Sequence, residues 1–271
     1  MDLRNQTVLI TGAARGIGQA TAVALATRGA HIIGVDLRAD DMAETARRIE
    51  ALGRRFIGLE GDVSDREAME RVVNEAVAAG GFSVLVNNAG VLPSGPFTEV
   101  DFSVWERTIA IDLTGLMALT HIALPHLLSQ PHAHIVNIAS IAGKFGASGL
   151  AAYCAAKHGV VGFSAALRFE LRRTRVGVSC ICPTMVSTRL VEGVRRSPLI
   201  PLVRPEKVAH AVVRAIERNL PEVFVPRHMK LLIDVLPTVA PPLFRWLVHR
   251  DAAADGWLEA RLSLVKEPSK K

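Results

Sequence analysis

The chain has 271 residues, 49% of them apolar, and a formal net charge of +6. This length and apolar content suffice for one large domain with a buried core and exclude a disordered chain. The positive charge could attract nucleotides, anionic lipid or nucleic acid, although a solvated surface rich in arginine explains it as well.

The first elements of the chain predict a nucleotide site. Residues 7–11 form a short apolar run typical of a buried strand, and residues 12–18 add a glycine turn before an alanine-rich helical pattern that ends near Arg28. Glycines let the backbone approach a pyrophosphate, and a helix N-terminus adds amide donors and a partial positive charge. A second strand, residues 31–35, ends at Asp36, whose carboxylate can accept hydrogen bonds from an adenosine ribose.

Strands and helices continue to alternate along most of the chain. Nearly continuous apolar strands between helices predict a parallel sheet covered on both faces, hence an α/β, Rossmann-type doubly wound fold in three layers. The further predicted strands cover residues 56–59, 83–86, 134–139, 176–181 and 222–225, and the helices residues 40–52, 102–129, 151–174, one ending at 79 and one over 205–218. Ligands of such sheets bind at the carboxyl ends of the strands. We therefore expect one shared site from the residues at these ends, which are Gly12, Asp36, Asp62, Asn88, Ser140 and Pro183.

Ser140, Tyr153 and Lys157 form a candidate acid–base group. Tyr153, the only tyrosine, lies four residues before Lys157 in a predicted helix, so both side chains point to one face. An ordinary tyrosine titrates near pH ~10, and a neighbouring ammonium lowers that pKa. With a serine hydroxyl to polarise a carbonyl, the set suits proton transfer to or from an alcohol oxygen. Taken alone, the Tyr–Lys spacing could also arise by chance.

Several motifs follow one another in a fixed order between residues 5 and 190. They are Thr11-Gly12-x-x-x-Gly16-Ile17-Gly18, Asp62-Val63, Asn87-Asn88-Ala89-Gly90, Ser140 with Tyr153-x-x-x-Lys157, and Pro183 with Thr188. In this set and order the chain resembles the short-chain dehydrogenase/reductase family. The resemblance implies an NAD(P)-dependent oxidoreductase that transfers a hydride between nicotinamide and a lipophilic secondary alcohol or ketone.

The resemblance also implies roles for individual residues. Tyr153 would be the general acid/base, Ser140 would position and polarise the carbonyl, and Lys157 would lower the Tyr153 pKa and bind the nicotinamide ribose. The cofactor-binding residues that it implies are Gly12, Arg15, Gly16, Ile17, Gly18, Asp36, Asp62, Val63, Asn88, Ala89, Gly90, Tyr153, Lys157, Pro183, Val186 and Thr188.

Two residues depart from the family's pattern. Asp112 takes a position where the family usually has an asparagine that holds a water of a proton relay toward the lysine. We expect Asp112 to belong to the catalytic set and to lie near Lys157, directly or through one water. Thr184 follows Pro183 where the family usually has glycine. Neither change removes the Ser–Tyr–Lys set.

The choice between NAD and NADP depends on Asp36. A carboxylate at this position should prefer the free ribose hydroxyls of NAD and repel the extra phosphate of NADP. Arg15 and Arg38 favour NADP, since either guanidinium could pair with that phosphate. We expect NAD, with NADP as the alternative.

The sequence divides into a dinucleotide-binding and catalytic domain, residues 1–226, and a C-terminal extension, residues 227–271, that is apolar, basic and at least partly helical. Residues 184–204 resemble the family's mobile substrate lid, and their apolar members would face the substrate: Leu190, Val191, Val194, Leu199 and Ile200. The extension could pack on the domain, line the substrate site or contact anionic lipid. The cations suited to lipid are Arg227, Lys230, Arg245, His249 and Arg250.

The remaining features bear on partners and location. No Cys/His spacing typical of zinc occurs, and the three cysteines lie in apolar runs, so we expect no metal and reduced thiols in a cytoplasm. We expect no signal peptide, and no membrane-spanning helix because no uncharged apolar run reaches about 18 residues. We expect no nucleic acid partner, and we expect the protein to form a homodimer or homotetramer. Contact with a membrane would be peripheral. The alternative functions are a catalytically silent nucleotide-binding sensor and a membrane-associated binding protein.

Overall fold

The computed structural model describes residues 1–191, 193–194, 199–250 and 257, without the side chains of residues 248–250. Its strands are β1 Thr7–Thr11, β2 His31–Asp36, β3 Phe56–Glu60, β4 Val84–Asn87, β5 Ala133–Ile138, β6 Val176–Pro183 and β7 Glu222–Val225. They form one parallel sheet in the order β3-β2-β1-β4-β5-β6-β7. This confirms the predicted doubly wound sheet.

Helices cover both faces of the sheet and make it the middle of three layers. One face carries α1 Gly16–Thr27, α2 Ala43–Glu50 and α7 Pro205–Arg218. The other face carries α3 Arg66–Ala78, α4 Phe102–Ile109, α5 Leu116–Ser129 and α6 Ala151–Glu170. Successive strand residues point to opposite faces, so Val8 and Ile10 join one apolar core while Leu9 joins the other. Strands buried on both faces explain the continuous apolar runs of the sequence.

The strand order reverses beside β1, which pairs with β2 on one side and with β4 on the other. The loops that follow β1 and β4 therefore leave the sheet on opposite sides and open a crevice between them. This crevice receives the glycine turn, residues 12–18, and the loop that follows Asn87.

The predicted helix over residues 102–129 is continuous but not uniform. A π-helical turn, Ala110–Gly115, joins α4 to α5 and carries Asp112. Pro125 lies inside α5 without ending it. By length and composition this helix could cross a membrane. No such helix was expected from the sequence, because only uninterrupted apolar runs were considered there. The helix packs against α3 and α6, as a helix of the folded domain does.

Element ends differ slightly from the predictions. Helix α6 ends at Glu170 because residues 171–173 form a 3₁₀ turn. Strand β6 continues to Pro183, which pairs with Val225 of β7. The added strand length brings Pro183 and the start of the lid to the same edge of the sheet as Ser140.

The C-terminal extension returns to this edge. After β7, a π-helical turn Leu231–Val235 leads into α8 Leu236–Val239 and α9 Pro241–Arg250. Met229 and Ile233 are buried in a cluster with Phe224. A helical extension is thus present in the described part, while the boundary at residue 226 stays a prediction. Part of the predicted lid and tail, residues 192, 195–198, 251–256 and 258–271, lies outside the described residues, as do the side chains of His249 and Arg250.

Candidate active site

The glycine turn brings the N-terminus of α1 against the end of β1. Gly12 and Gly16 have φ values of +67° and +58°, which favour glycine. At Gly18 an added Cβ would lie 1.9 Å from the Gly12 carbonyl oxygen, so only a glycine permits this packing. The result is a narrow backbone cradle with free helix N–H groups, which fits a pyrophosphate.

Asn88 and Thr11 connect this turn to the end of β4. The Asn88 side-chain amide donates to the carbonyls of Thr11 and Gly12 at 2.9 and 3.2 Å. The Thr11 hydroxyl oxygen in turn accepts from the backbone amides of Asn88 and Ala89. Thr11 was part of a motif, but the sequence did not single it out as a site residue. Its hydroxyl holds the two loops of the crevice together.

Two acidic side chains, Asp36 and Asp62, line the cleft at or just after the ends of β2 and β3. Asp36 Oδ2 accepts a hydrogen bond from the Ala14 amide at 2.9 Å, and its Oδ1 accepts from Leu37. Asp62 Oδ1 accepts from the amide and the hydroxyl of Ser64. These bonds fix both carboxylates at the cleft wall.

The arginines near Asp36 differ from the sequence expectation. Arg15 lines the cleft, as expected, but Arg38 lies outside the lining, because it follows β2 on its exposed side. Arg48 of α2 lines the cleft instead, 3.4 Å from the side-chain oxygen of Gln19. Only the packing of α2 brings Arg48 there, and no local sequence signal marks it.

Ser140, Tyr153 and Lys157 meet beyond the end of β5. Ser140 caps a 3₁₀ turn, residues 141–143, by accepting from the Ala142 amide at 3.1 Å. At Gly143 an added Cβ would be 2.5 Å from the Lys157 carbonyl, so this turn packs directly on α6. The helix presents Tyr153 and Lys157 on one face, with Lys157 Nζ 5.5 Å from the centre of the Tyr153 ring.

Asp112 and Lys157 form a buried ion pair. Lys157 Nζ lies 3.1 Å from Asp112 Oδ2, and 6% and 0% of the two side chains are exposed. Asp112 Oδ1 accepts from the Val91 amide at 2.8 Å, and Lys157 donates to the Ile138 carbonyl at 3.3 Å. The contact is direct rather than through a water. Gly90 makes room for it, since a Cβ there would lie 3.3 Å from both carboxylate oxygens.

The charges of this pair follow from burial and from each other. Burial opposes the Lys157 charge, but the Asp112 carboxylate and Tyr153 outweigh it and raise the Lys157 pKa. Burial also raises the pKa of Asp112, against the attraction of Lys157. Asp112 Oδ2 faces the Lys157 ammonium and Oδ1 faces the Val91 amide, so both carboxylate oxygens face donors. This arrangement fits an ionised pair.

Burial also decides the pKa of Tyr153. Burial raises that pKa, Lys157 lowers it, the Asp112 charge raises it, and a hydrogen bond with Ser140 lowers it. The effects of Lys157 and Asp112 on this pKa have the signs expected from the sequence, but that expectation did not include burial of the ring. The net direction is upward, because the side chain is only 9% exposed and the phenolate would lose its hydration.

The cleft, about 1650 Å³ in all, also has walls of apolar side chains. All five apolar lid residues named from the sequence line it, together with Phe145 and Leu202. The extension adds a wall that the sequence left undecided. Its lining residues are Leu232, Ile233, Phe244, Leu247 and Trp257.

The base of the lid is fastened to the sheet. Val186 and Val203 form a parallel bridge, and the Val203 amide donates to the Met185 carbonyl at 2.8 Å. The Thr184 hydroxyl donates to the Pro201 carbonyl at 2.7 Å. A glycine at position 184 could not make this bond, which gives the departure from the family pattern a structural role.

Two residues that follow the Ser140 turn hold the extension in place. Lys144 Nζ lies 2.7 Å from Glu222 Oε1 and 3.6 Å from Asp234 Oδ1. Phe145 meets Phe244 edge to face, with ring centres 6.4 Å apart. The loop that follows Ser140, which contains Lys144 and Phe145, is therefore in direct contact with the extension.

One cleft thus holds nearly all the residues named from the sequence, although their individual roles stay predictions. Of the catalytic and cofactor-binding residues that the resemblance implies, only Gly18 lies outside the lining, packed against the Gly12 carbonyl. No group of three or more His, Cys, Asp or Glu side chains that could hold a metal occurs among the described residues. The residues that line the cleft are Gly12, Arg15, Gly16, Ile17, Asp36, Asp62, Val63, Asn88, Ala89, Gly90, Asp112, Ser140, Tyr153, Lys157, Pro183, Val186 and Thr188.

The fold, the glycine cradle and the Ser–Tyr–Lys arrangement define a class. The family model described as short chain dehydrogenase matches residues 6–198. The chain belongs to the short-chain dehydrogenase/reductase family and is an oxidoreductase of that class.

Individual relatives are similar over most of the chain. The ketoacyl reductase HetN of a Nostoc species is 34% identical over 257 residues, 90% of each protein. The (-)-trans-carveol dehydrogenase of Rhodococcus erythropolis is 37% identical over 207 residues, which cover 70% of this chain and 74% of the relative. The crystal structure of carveol dehydrogenase from Mycobacterium avium in complex with NAD has a TM-score of 0.77 at 29% identity, and the match covers 83% of this chain and 97% of that one.

Proposed function

We propose that this protein transfers a hydride between NAD and a lipophilic secondary alcohol or ketone, with Tyr153 as general acid/base. The observation that carries the proposal is the position of Tyr153 in the cleft. The ring lines the same cleft as the glycine turn and the apolar lid residues, beside both Ser140 and Lys157.

The residues of the glycine turn and of the neighbouring strand ends fit a dinucleotide. The cradle of residues 12–18 would hold the pyrophosphate, Asp36 the adenosine ribose, and Asn88 would support the turn from below. Val186 and Thr188 would lie along the nicotinamide. When bound, the cofactor accepts or supplies the hydride. Asp36 favours NAD, because its carboxylate lies at the cleft wall, where it would accept hydrogen bonds from free ribose hydroxyls and repel an added phosphate.

The protein's own part is proton transfer and orientation. Ser140 can donate a hydrogen bond to the substrate oxygen while Tyr153 takes or gives its proton. Lys157 lowers the Tyr153 pKa against the effect of burial, and Asp112 holds Lys157 in its charged form. Apolar lid and extension side chains around this point exclude water, which strengthens these polar contacts.

The apolar lining supports a lipophilic substrate rather than a sugar or a charged acid. Around the substrate end it consists of lid and extension side chains, among them Leu199, Ile200 and Phe244. Two of the similar proteins are carveol dehydrogenases by name, which is consistent with a lipophilic alcohol.

Turnover of an alcohol panel with NAD and with NADP tests the proposal. We expect NADH formation with lipophilic secondary alcohols and a higher kcat/KM for NAD than for NADP. A preference for a polyol or sugar over every lipophilic alcohol would overturn the substrate class, and a preference for NADP would overturn the role of Asp36. Cofactor binding without any turnover would favour the silent nucleotide sensor.

Cytoplasmic location, a homodimer or homotetramer, and peripheral contact of the extension with a membrane stay predictions from the sequence. The retained Ser140, Tyr153 and Lys157 speak against the silent sensor, because a sensor has no need of an acid–base group.

A further inference from the structure

The outer face of the extension exposes large apolar side chains. Leu231, Val235 and Val239, spaced by four residues, have exposed fractions of 67%, 38% and 70%. Leu243 and Trp246 of α9 are 47% and 52% exposed. All five lie outside the lining of the cleft. We call these five residues the extension face. Clusters of exposed apolar side chains of this kind mark interaction sites in soluble proteins.

The exposed charged side chains of the segment that carries the extension face are cationic. Arg227, Lys230 and Arg245 are exposed beside it. The one acidic residue between positions 227 and 250 is Asp234, whose carboxylate points to Lys144. A partner that covers the apolar side chains must therefore be apolar in the middle and anionic at its edge.

The opposite side of the same segment belongs to the cleft. Leu232 and Ile233 alternate with the outward residues and line the apolar end, as do Phe244 and Leu247 of α9. The contacts of Lys144 with Asp234 and of Phe145 with Phe244 hold the segment against the loop that follows Ser140. One short segment thus separates the substrate space from the exposed apolar face.

From these observations we propose that the extension face docks the enzyme on an anionic phospholipid surface, from which a lipophilic substrate enters the adjoining end of the cleft. Leu, Val and Trp side chains suit the boundary of headgroups and acyl chains, and the three cations suit anionic headgroups. A second copy of the chain fits less well, because a two-fold contact through this face would bring the same cations together. The proposed entry route rests on the proposed action on lipophilic alcohols, whereas the docking itself does not.

Sedimentation with vesicles tests the docking. We expect the full chain to sediment with vesicles of equimolar phosphatidylcholine and phosphatidylserine, and much less with phosphatidylcholine alone or at high salt. Leu231→Glu with Val239→Glu should weaken binding at least about tenfold, and Lys230→Ala alone about fivefold. Phe169→Glu is the matched control, because Phe169 is 73% exposed at the far end of α6; this variant should bind like the wild type.

The outcomes separate the docking from the reaction. Turnover of a small, water-soluble alcohol should be unchanged in the Leu231→Glu/Val239→Glu protein, while turnover of a bulky alcohol presented in anionic vesicles should fall. Wild-type protein that stays in solution with both vesicle types would overturn the proposal. A loss of vesicle binding in the Phe169→Glu control as large as that in the double variant would overturn it as well. If the double substitution splits an oligomer and leaves vesicle binding intact, the face is a contact between copies. Vesicle binding without any turnover would leave the docking intact and refute the proposed function.

Discussion

The two ends of the cleft are built by different means. At the cofactor end, strand ends and short turns are locked by backbone-directed hydrogen bonds, such as those of Asn88 to Thr11 and Gly12 and of Asp36 to Ala14. At the substrate end, the walls come from long segments after β6 and β7. A few tertiary contacts fasten these segments, among them Thr184 with Pro201 and Lys144 with Asp234.

The difference indicates which end can change independently. Hydrogen bonds to backbone groups depend on the fold itself, so the cofactor end tolerates little substitution. The substrate walls touch the domain mainly through side chains and can be altered while the sheet stays intact. Ser140, Tyr153 and Lys157 line the same cleft, and Lys157 joins α6 to Asp112 and to the end of β5.

Of the changes predicted here, removal of Lys157 should have the largest effect. Lys157→Ala leaves the Asp112 carboxylate buried without its cation, and we expect a loss of about 3–5 kcal/mol in the free energy of unfolding at neutral pH. Denaturant unfolding measures it. Asp112→Asn in the same protein should recover much of the loss. An unchanged free energy of unfolding would show that the pair is not ionised.

The pH dependence of stability follows from the same pair. The folded-state pKa of Lys157 is raised, so its contribution is complete below the ordinary lysine pKa and is lost as pH rises through the raised value. Unfolding of wild type and Lys157→Ala across alkaline pH should therefore show the difference between them shrinking above pH ~10.

Tyr153→Phe should separate catalysis from cofactor binding. The substitution keeps the ring in its buried position and removes the ionisable hydroxyl, so kcat should fall on the order of 10²-fold or more. The dissociation constant for NAD, measured by titration calorimetry, should stay nearly unchanged. Lys157→Ala is the contrasting variant, because it should impair both. Near-full activity of the Phe variant would refute the acid–base role.

Phe244→Ala should alter the substrate end alone. Phe244 lines the cleft and packs on Phe145, so its loss should lower kcat/KM for a bulky lipophilic alcohol about tenfold. NAD binding should not change. Leu243→Ala, one residue earlier and turned to solvent, should behave like the wild type. An equal loss in both variants would show that α9 acts only through overall stability.

Asp112→Asn should give the smallest effect. The Asp112 charge raises the Tyr153 pKa, so its removal should shift the acid-side limb of the kcat/KM profile for alcohol oxidation to lower pH by about one unit, equivalent to ~1.4 kcal/mol. Activity should be retained. An unshifted limb would mean that Asp112 carries no charge in the working enzyme, and a shift to higher pH would contradict the sign of the electrostatic argument.

The sequence by itself determined the sheet, the edge at which the site lies and a set of site residues, nearly all of which line the cleft. Continuous apolar runs in the strands indicate burial on both faces of the sheet. The glycines at positions 12, 16 and 18 indicate a turn whose conformation and close packing favour glycine. The i, i+4 spacing of Tyr153 and Lys157 likewise fixes their common face. These signals are local, because each depends on a few neighbouring residues.

Only the tertiary structure decided the balance of charges and the shape of the substrate end. The net direction of the Tyr153 pKa depends on burial by segments far apart in the chain, so the neighbouring charges that the sequence identified do not decide it. The cleft is lined by Arg48 and not by Arg38, and this depends on how α2 packs. The wall formed by Phe244 and Trp257 depends on the return of the extension to the sheet edge. Contacts over such long separations leave no periodicity in the sequence, which is why the fold was needed to find them.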